Sequence, residues 1–187
     1  LGTLLHDPGI FAAPARVQWL LLHGAVSEAR DAQGDTPLFA QLARGPQAMP
    51  VAHALLQGGL SPAGAGGLAR FLAACLQGNP SMQGAETFAL DLLERGADPF
   101  GASRAGDPPL SLAVRLGWTR LLDRLLDLGV DREARDGHGM SALHLATALG
   151  REAVLKQLIL KGASPHARAA DGQTPLGVAL ANGRRDL

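Results

Sequence analysis

The 187-residue sequence contains no tyrosine, one cysteine and only two lysines, Lys156 and Lys161, against fifteen arginines. A lone cysteine permits no internal disulfide. Cys75 lies in the apolar run "FLAACL", without metal-ligand spacing around it, and reads as a buried thiol. Net charge is absent too: 17 basic residues balance 17 acidic ones. That balance excludes the global electrostatic attraction that supports nonspecific binding to nucleic acid or an anionic membrane. No apolar stretch approaches the roughly 20 residues needed to span a bilayer, so membrane insertion is not expected. The opening "LGTLLHDPGI" has neither the basic n-region nor the apolar h-region of a secretion signal. It does not begin with methionine, and the chain reads as a piece of a longer protein. The six histidines show no His-x-x-x-His or Cys/His pairing, so no metal and no cofactor are expected. A hydrophobic content of 47% excludes a disordered chain. The arginine bias reads as a GC-rich, bacterial-type composition.

What the sequence does contain is a period. "QTPLGVALANG" (173–183) superposes on "MSALHLATALG" (140–150), which places Thr174 on Ser141 at an offset of 33. "DPPLSLAVRLG" (107–117) falls another 33 residues earlier, and Gly96, Gly129 and Gly162 keep the same spacing. "GDTPLFAQLARG" (34–45) is the clearest upstream copy; "ARFLAACLQG" (69–78) is degenerate and is followed by about six extra residues near "NPSMQG". Local chemistry builds each unit. A Thr or Ser hydroxyl caps a first helix, with proline at its first position in "TPL", and a glycine ends it. A second helix carries one apolar stripe, as in Leu121, Leu122, Leu125 and Leu126, and also stops at a glycine. A polar, Gly-containing loop leads to the next unit.

"DGQTPLGVALANG", "DAQGDTPLFAQLARG" and "ALHLATALGREAVLKQLILKGASP" resemble ankyrin repeats, over about residues 10–187. The resemblance implies an all-α solenoid of stacked helix-turn-helix units with β-hairpin-like finger loops. It further implies a single array divided as 1–30 (partial), 31–62, 63–102 (degenerate, with an insertion), 103–135, 136–168 and 169–187 (truncated). It also implies a concave face of fingers and first helices that binds another protein. The positions carried onto that face are Arg30, Gln33, Asp35, Arg44, Arg104, Asp107, Arg115, Trp118, Arg135, His138, Met140, Arg168 and Gln173.

Among them, Arg30, Arg135 and Arg168 hold equivalent positions just before fingers, a row interrupted by Ala102 in the fourth unit. With Arg104 and Arg115 they suggest an arginine stripe for a partner with an acidic patch. The competing expectation is a solvated row neutralised by Asp31, Asp35, Asp107, Asp136 and Asp171. Trp118 reads either as packing on the adjacent loop or as an exposed anchor, whereas Trp19 in "QWLLL" reads as core. Ser141 and His144, three residues apart, could be taken for a nucleophile and its base. Thr174 and Gly177 occupy the same positions one period later, however, and no third orienting group or oxyanion hole accompanies the pair. Ser141 is therefore expected to be an N-cap, and His144 to bond neighbouring finger backbone as the family histidine does. "AGAGG" (63–67) lacks the Lys-Ser/Thr of a phosphate loop.

The function expected is a non-catalytic, cytoplasmic interaction scaffold that serves as one module of a longer chain. It would bind another protein or other domains of the same chain. The alternatives are a ligand-sensing regulatory domain, or an effector or immunity protein that inhibits a specific enzyme. An effector would be secreted into a host cell.

Overall fold

The structure, a computed structural model, describes residues 14–25, 29–78 and 83–186. The described residues form ten α-helices and no strand, in two compact units, Leu1–Asp98 and Pro99–Leu187.

In the first unit α1 (Pro14–Leu22) packs on α3 (Met49–Gln57), and α2 (Pro37–Leu42) packs on α3 and α4 (Gly67–Gln77). α4 also packs on α5 (Ala85–Glu94). Proline opens α1 and α2, where a missing N–H removes no intrahelical bond. Thr36 caps α2 by accepting the Phe39 N–H at 3.4 Å. Leu38, Leu42, Leu55, Leu68, Leu72 and Leu92 are fully buried, and Phe71 meets Phe88 edge-on with centroids 5.1 Å apart. α2 ends at Leu42 rather than at Gly45, and a 3-10 turn over Gly45–Ala48 leads into α3. Two residues beyond the usual count separate Gly45 from Gly59, and this tighter turn takes them up. Trp19 departs from expectation. It is 57% exposed and stacks on His23, centroids 4.0 Å apart, because α1 buries only Val17.

In the second unit α6 (Pro109–Leu116), α7 (Thr119–Asp127), α8 (Ala142–Leu149), α9 (Glu152–Leu160) and α10 (Pro175–Ala181) repeat a single geometry. α7 packs on α6, α9 on α8, and α8 on both α6 and α10. α7 buries Leu121, Leu122, Leu125 and Leu126, each worth roughly 1.5–3 kcal/mol of transfer free energy. Both second helices close alike: Val130 N–H donates to Leu125 O at 3.3 Å, and Ala163 N–H to Leu158 O at 2.9 Å. Gly129 and Gly162, at φ of 84° and 90°, make the left-handed step those bonds require. Lys161 of this unit reaches Asp123 at 2.9 Å and Asp127 at 2.6 Å, tying the end of α9 to α7. Leu176 of α10 is 65% exposed, although Leu143, its equivalent 33 residues earlier, is 1% exposed.

Candidate functional site

The loops before α2, α6, α8 and α10 share one backbone. In each, the N–H of the first residue donates to the carbonyl four residues on: Asp31 to Asp35 (3.0 Å), Ser103 to Asp107 (2.9 Å), Asp136 to Met140 (2.9 Å), Ala169 to Gln173 (2.8 Å). The glycine at the fourth position donates back to the first residue, as Gly139 N–H does to Asp136 O at 2.9 Å. That glycine has φ near 80° in all four fingers (Gly34, Gly106, Gly139, Gly172), a conformation side chains resist. The finger before α8 also forms an antiparallel bridge between Arg135 and Ser141.

Side chains fasten the turns at fixed register. Asp31 Oδ1 accepts the N–H groups of Gln33 and Asp35, both at 2.9 Å. Asp136 Oδ1 accepts those of His138 and Met140, also at 2.9 Å. Ser103 Oγ accepts the Asp107 N–H at 3.2 Å. In the last finger Ala169 stands at this position, and Asp171 accepts the Gln173 N–H at 3.0 Å instead.

The arginines expected to form a partner stripe have a structural task. Arg30 donates through Nη1 to Gly34 O at 2.7 Å, Arg135 to Gly139 O at 3.0 Å and Arg168 to Gly172 O at 3.2 Å. Each guanidinium bridges its own finger across four residues. In the second unit the fingers are also stitched to one another. Ala170 N–H donates to Gly139 O at 3.1 Å, and Gly137 N–H to Asp107 Oδ1 at 3.1 Å.

Burial sorts the remaining face residues. Asp35 is 8% exposed and pairs with Arg70. Trp118 is 9% exposed at the start of α7, which settles it as packing rather than an exposed anchor. Arg115, half-buried, donates to Asp136 Oδ2 at 2.6 Å, and the Asp136 side chain is 0% exposed. This pair is no solvated counter-charge. Burial pushes the Asp136 carboxyl up, but the bonds from Met140 N–H, Arg115 and His138 N–H outweigh it and hold it below its ordinary value of 3.8. Asp107 and Met140 are half-buried. Arg30, Gln33, Arg44, Arg104, Arg135, His138, Arg168 and Gln173 are exposed.

Asp107, Asp136 and His138 bring potential metal-ligand atoms within 4.8 Å of one another. Their acceptors are largely spent: Asp107 Oδ1 holds Gly137 N–H, and Asp136 faces the Arg115 cation. The cluster fastens fingers, and the guanidinium of Arg115 on Asp136 opposes a further cation there.

Ser141 and His144 do touch, Oγ to Nδ1 at 2.7 Å, and both residues are 0% exposed. The hydroxyl makes no capping bond to backbone, which corrects the expectation of an N-cap bond. His144 Nε2 lies 2.9 Å from Gln173 O in the next finger, as expected of the family histidine. A backbone carbonyl can only accept, so Nε2 carries the proton and Nδ1 accepts from Ser141. A serine that donates to a sealed-in imidazole has no substrate to attack. Cys75 is equally shut away, and burial pushes its thiol up to about 12.

Known proteins share this geometry. A family model described as ankyrin repeats (3 copies) matches residues 71–169 and 110–187. The crystal structure of the ankyrin repeat domain of Bcl-3, titled a unique member of the IkappaB protein family, superposes with a TM-score of 0.68 at 26% identity. That match covers 94% of this chain and 76% of the other. No curated protein matches the sequence. With repeated helical pairs, near-identical fingers and a family match over well over half its length, the chain belongs to the ankyrin-repeat family.

Proposed function

We propose that the chain is a non-catalytic scaffold that recognises a partner protein through its finger tips and the adjoining first-helix residues. Ankyrin repeats in general are protein-interaction modules. The observation that carries the reading is a division of labour within each finger. In the fingers 31–35 and 136–140 the first-position aspartate, the fourth-position glycine and the preceding arginine fix the turn, and in 103–107 Ser103 and Gly106 do so, whereas the second- and third-position residues of these three fingers are largely exposed. Gln33, Arg104 and His138 are exposed tip residues of this kind. A pre-set loop loses little conformational freedom on binding, so its tips are suited to recognition.

The test is capture of a binding partner by the wild-type chain and by a tip variant combining Gln33→Ala, Arg104→Ala and His138→Ala. The expected result is lost capture with an unchanged melting temperature. Capture by the tip variant equal to wild type would overturn the assignment of the face.

A further inference from the structure

The loop leading into α4 is shorter than its counterparts. From the glycine that ends one second helix to the first residue of the next first helix, the chain takes 13 steps in four cases. These are Gly24 to Pro37, Gly96 to Pro109, Gly129 to Ala142 and Gly162 to Pro175. From Gly59 to Gly67 it takes 8. The difference of five is the length of one finger turn, such as 31–35. "SPAGAGG" therefore enters α4 with the finger missing.

The gap stays open. In the second unit, Gly139 O receives both Arg135 and a backbone N–H from the next finger. In the first unit, Gly34 O receives only Arg30 among the described residues. Between finger 31–35 and the Ser61–Ala65 loop lies a cavity of about 350 Å³. Arg30, Thr36, Phe39, Ser61, Gly64 and Arg70 are among the residues that line it. Arg70 pairs with Asp35, and its guanidinium lies 5.7 Å from the Phe39 ring centroid. Phe39 in turn occupies the place of two absent side chains: a Cβ on Gly67 would come within 2.9 Å of the ring and one on Gly64 within 3.1 Å.

Both guanidiniums are thus pre-oriented, and in the bonds the described residues make, each commits Nη1 alone. Among the described lining residues two guanidiniums face one carboxylate, a net positive charge of one. Guanidinium forks fit a carboxylate in two parallel bonds, and oriented donors lose little freedom on receiving one. We propose that this cavity receives a Glu or Asp side chain of the partner polypeptide, with Arg30 and Arg70 as its donors. The proposal rests on the protein-binding reading above and adds the anchor chemistry.

Two variants of the full chain test it. Arg30→Gln removes one donor, and the finger should survive, because the finger before α6 forms with Ala102 at the equivalent position. A copy of Asp136–Met140 inserted between Ala63 and Gly64 refills the gap. The probes are an end-capped Glu-containing hexapeptide, the same peptide with Gln for Glu, and inorganic phosphate. Binding is followed by the amide resonances of Gly64, Gly66 and Gly67.

The Glu peptide is expected to shift these resonances saturably and the Gln peptide not to. Affinity should fall about tenfold in Arg30→Gln and vanish in the insertion variant. Equal shifts with both peptides, no saturable shift, or phosphate binding tighter than the Glu peptide would each overturn the proposal. Partner capture separates the two levels. Capture by the insertion variant equal to wild type sinks the cavity and leaves the tip reading standing. Capture lost only through the finger tips likewise sinks the cavity alone.

Discussion

Removing the Asp136 carboxylate should be among the most damaging single changes in the second unit. The side chain is fully buried and accepts three bonds, from His138 N–H, Met140 N–H and Arg115. Asp136→Ala leaves two turn N–H groups without an acceptor and strands a half-buried guanidinium whose Nε already has no partner. Breaking a buried charge pair by deleting one member costs about 3–5 kcal/mol, and each orphaned buried donor adds to it. The finger can rehydrate in part, so the expected loss is about 3 kcal/mol. At roughly 2–4 °C per kcal/mol for a chain of this size, the melting temperature should fall by about 6–12 °C. The control is Asp171→Ala. Asp171 is exposed and accepts the Gln173 N–H, and its loss should stay near 0.5–1 kcal/mol. Urea titrations of both variants, read by far-ultraviolet circular dichroism, would measure the difference. Equal midpoints would refute the claim that burial, rather than the Asp turn itself, gives Asp136 its weight.

Because the folded Asp136 carboxyl titrates below its unfolded value of 3.8, its contribution is complete above that pH and disappears as acid takes the protein through the folded value. Acid unfolding of Asp136→Asn should therefore show a shallower limb below pH 3.8 than wild type. Gly137→Ala should destabilise by about 1–3 kcal/mol, because its Cβ would stand 2.5 Å from Ala105 O and push apart two stitched fingers. A double-mutant cycle with Asp107→Ala should be non-additive, and strict additivity would show that the fingers do not depend on that contact. Ser141→Ala should exceed the loss of roughly 1 kcal/mol expected for Thr174→Ala, a true cap, since it leaves His144 Nδ1 buried without a donor. Cys75 should resist alkylation until the first unit opens; rapid labelling of native protein at neutral pH would contradict its burial.

The period, the helix-ending glycines and the proline-led first helices are legible in the sequence because each is local chemistry that recurs within one unit. His144 is legible for the same reason, as part of a short motif. The burial of Asp136 is not. It depends on Arg115, which is 21 residues away and comes close only once α6 and α8 have packed. The same holds for Asp35 and Arg70, 35 residues apart. The arginine clamps do leave a signal, the recurrence of Arg four residues before the finger glycine. That recurrence suggests an outward stripe equally well, since composition cannot say whether a cation faces a partner or its own backbone. Trp19 is illegible for a related reason: an apolar run suggests burial on every side, and α1 packs only one.

The separation of duties within a finger also bears on how such a surface changes over generations. Clamp and carboxylate hold the loop whatever occupies the tip, so a substitution at Gln33 or His138 alters what the loop meets without loosening the loop itself. If the tips carry recognition, as proposed above, it can drift one residue at a time along a path on which every intermediate still folds. On that reading a lineage carrying this design can exchange one target for another faster than it could evolve a new scaffold.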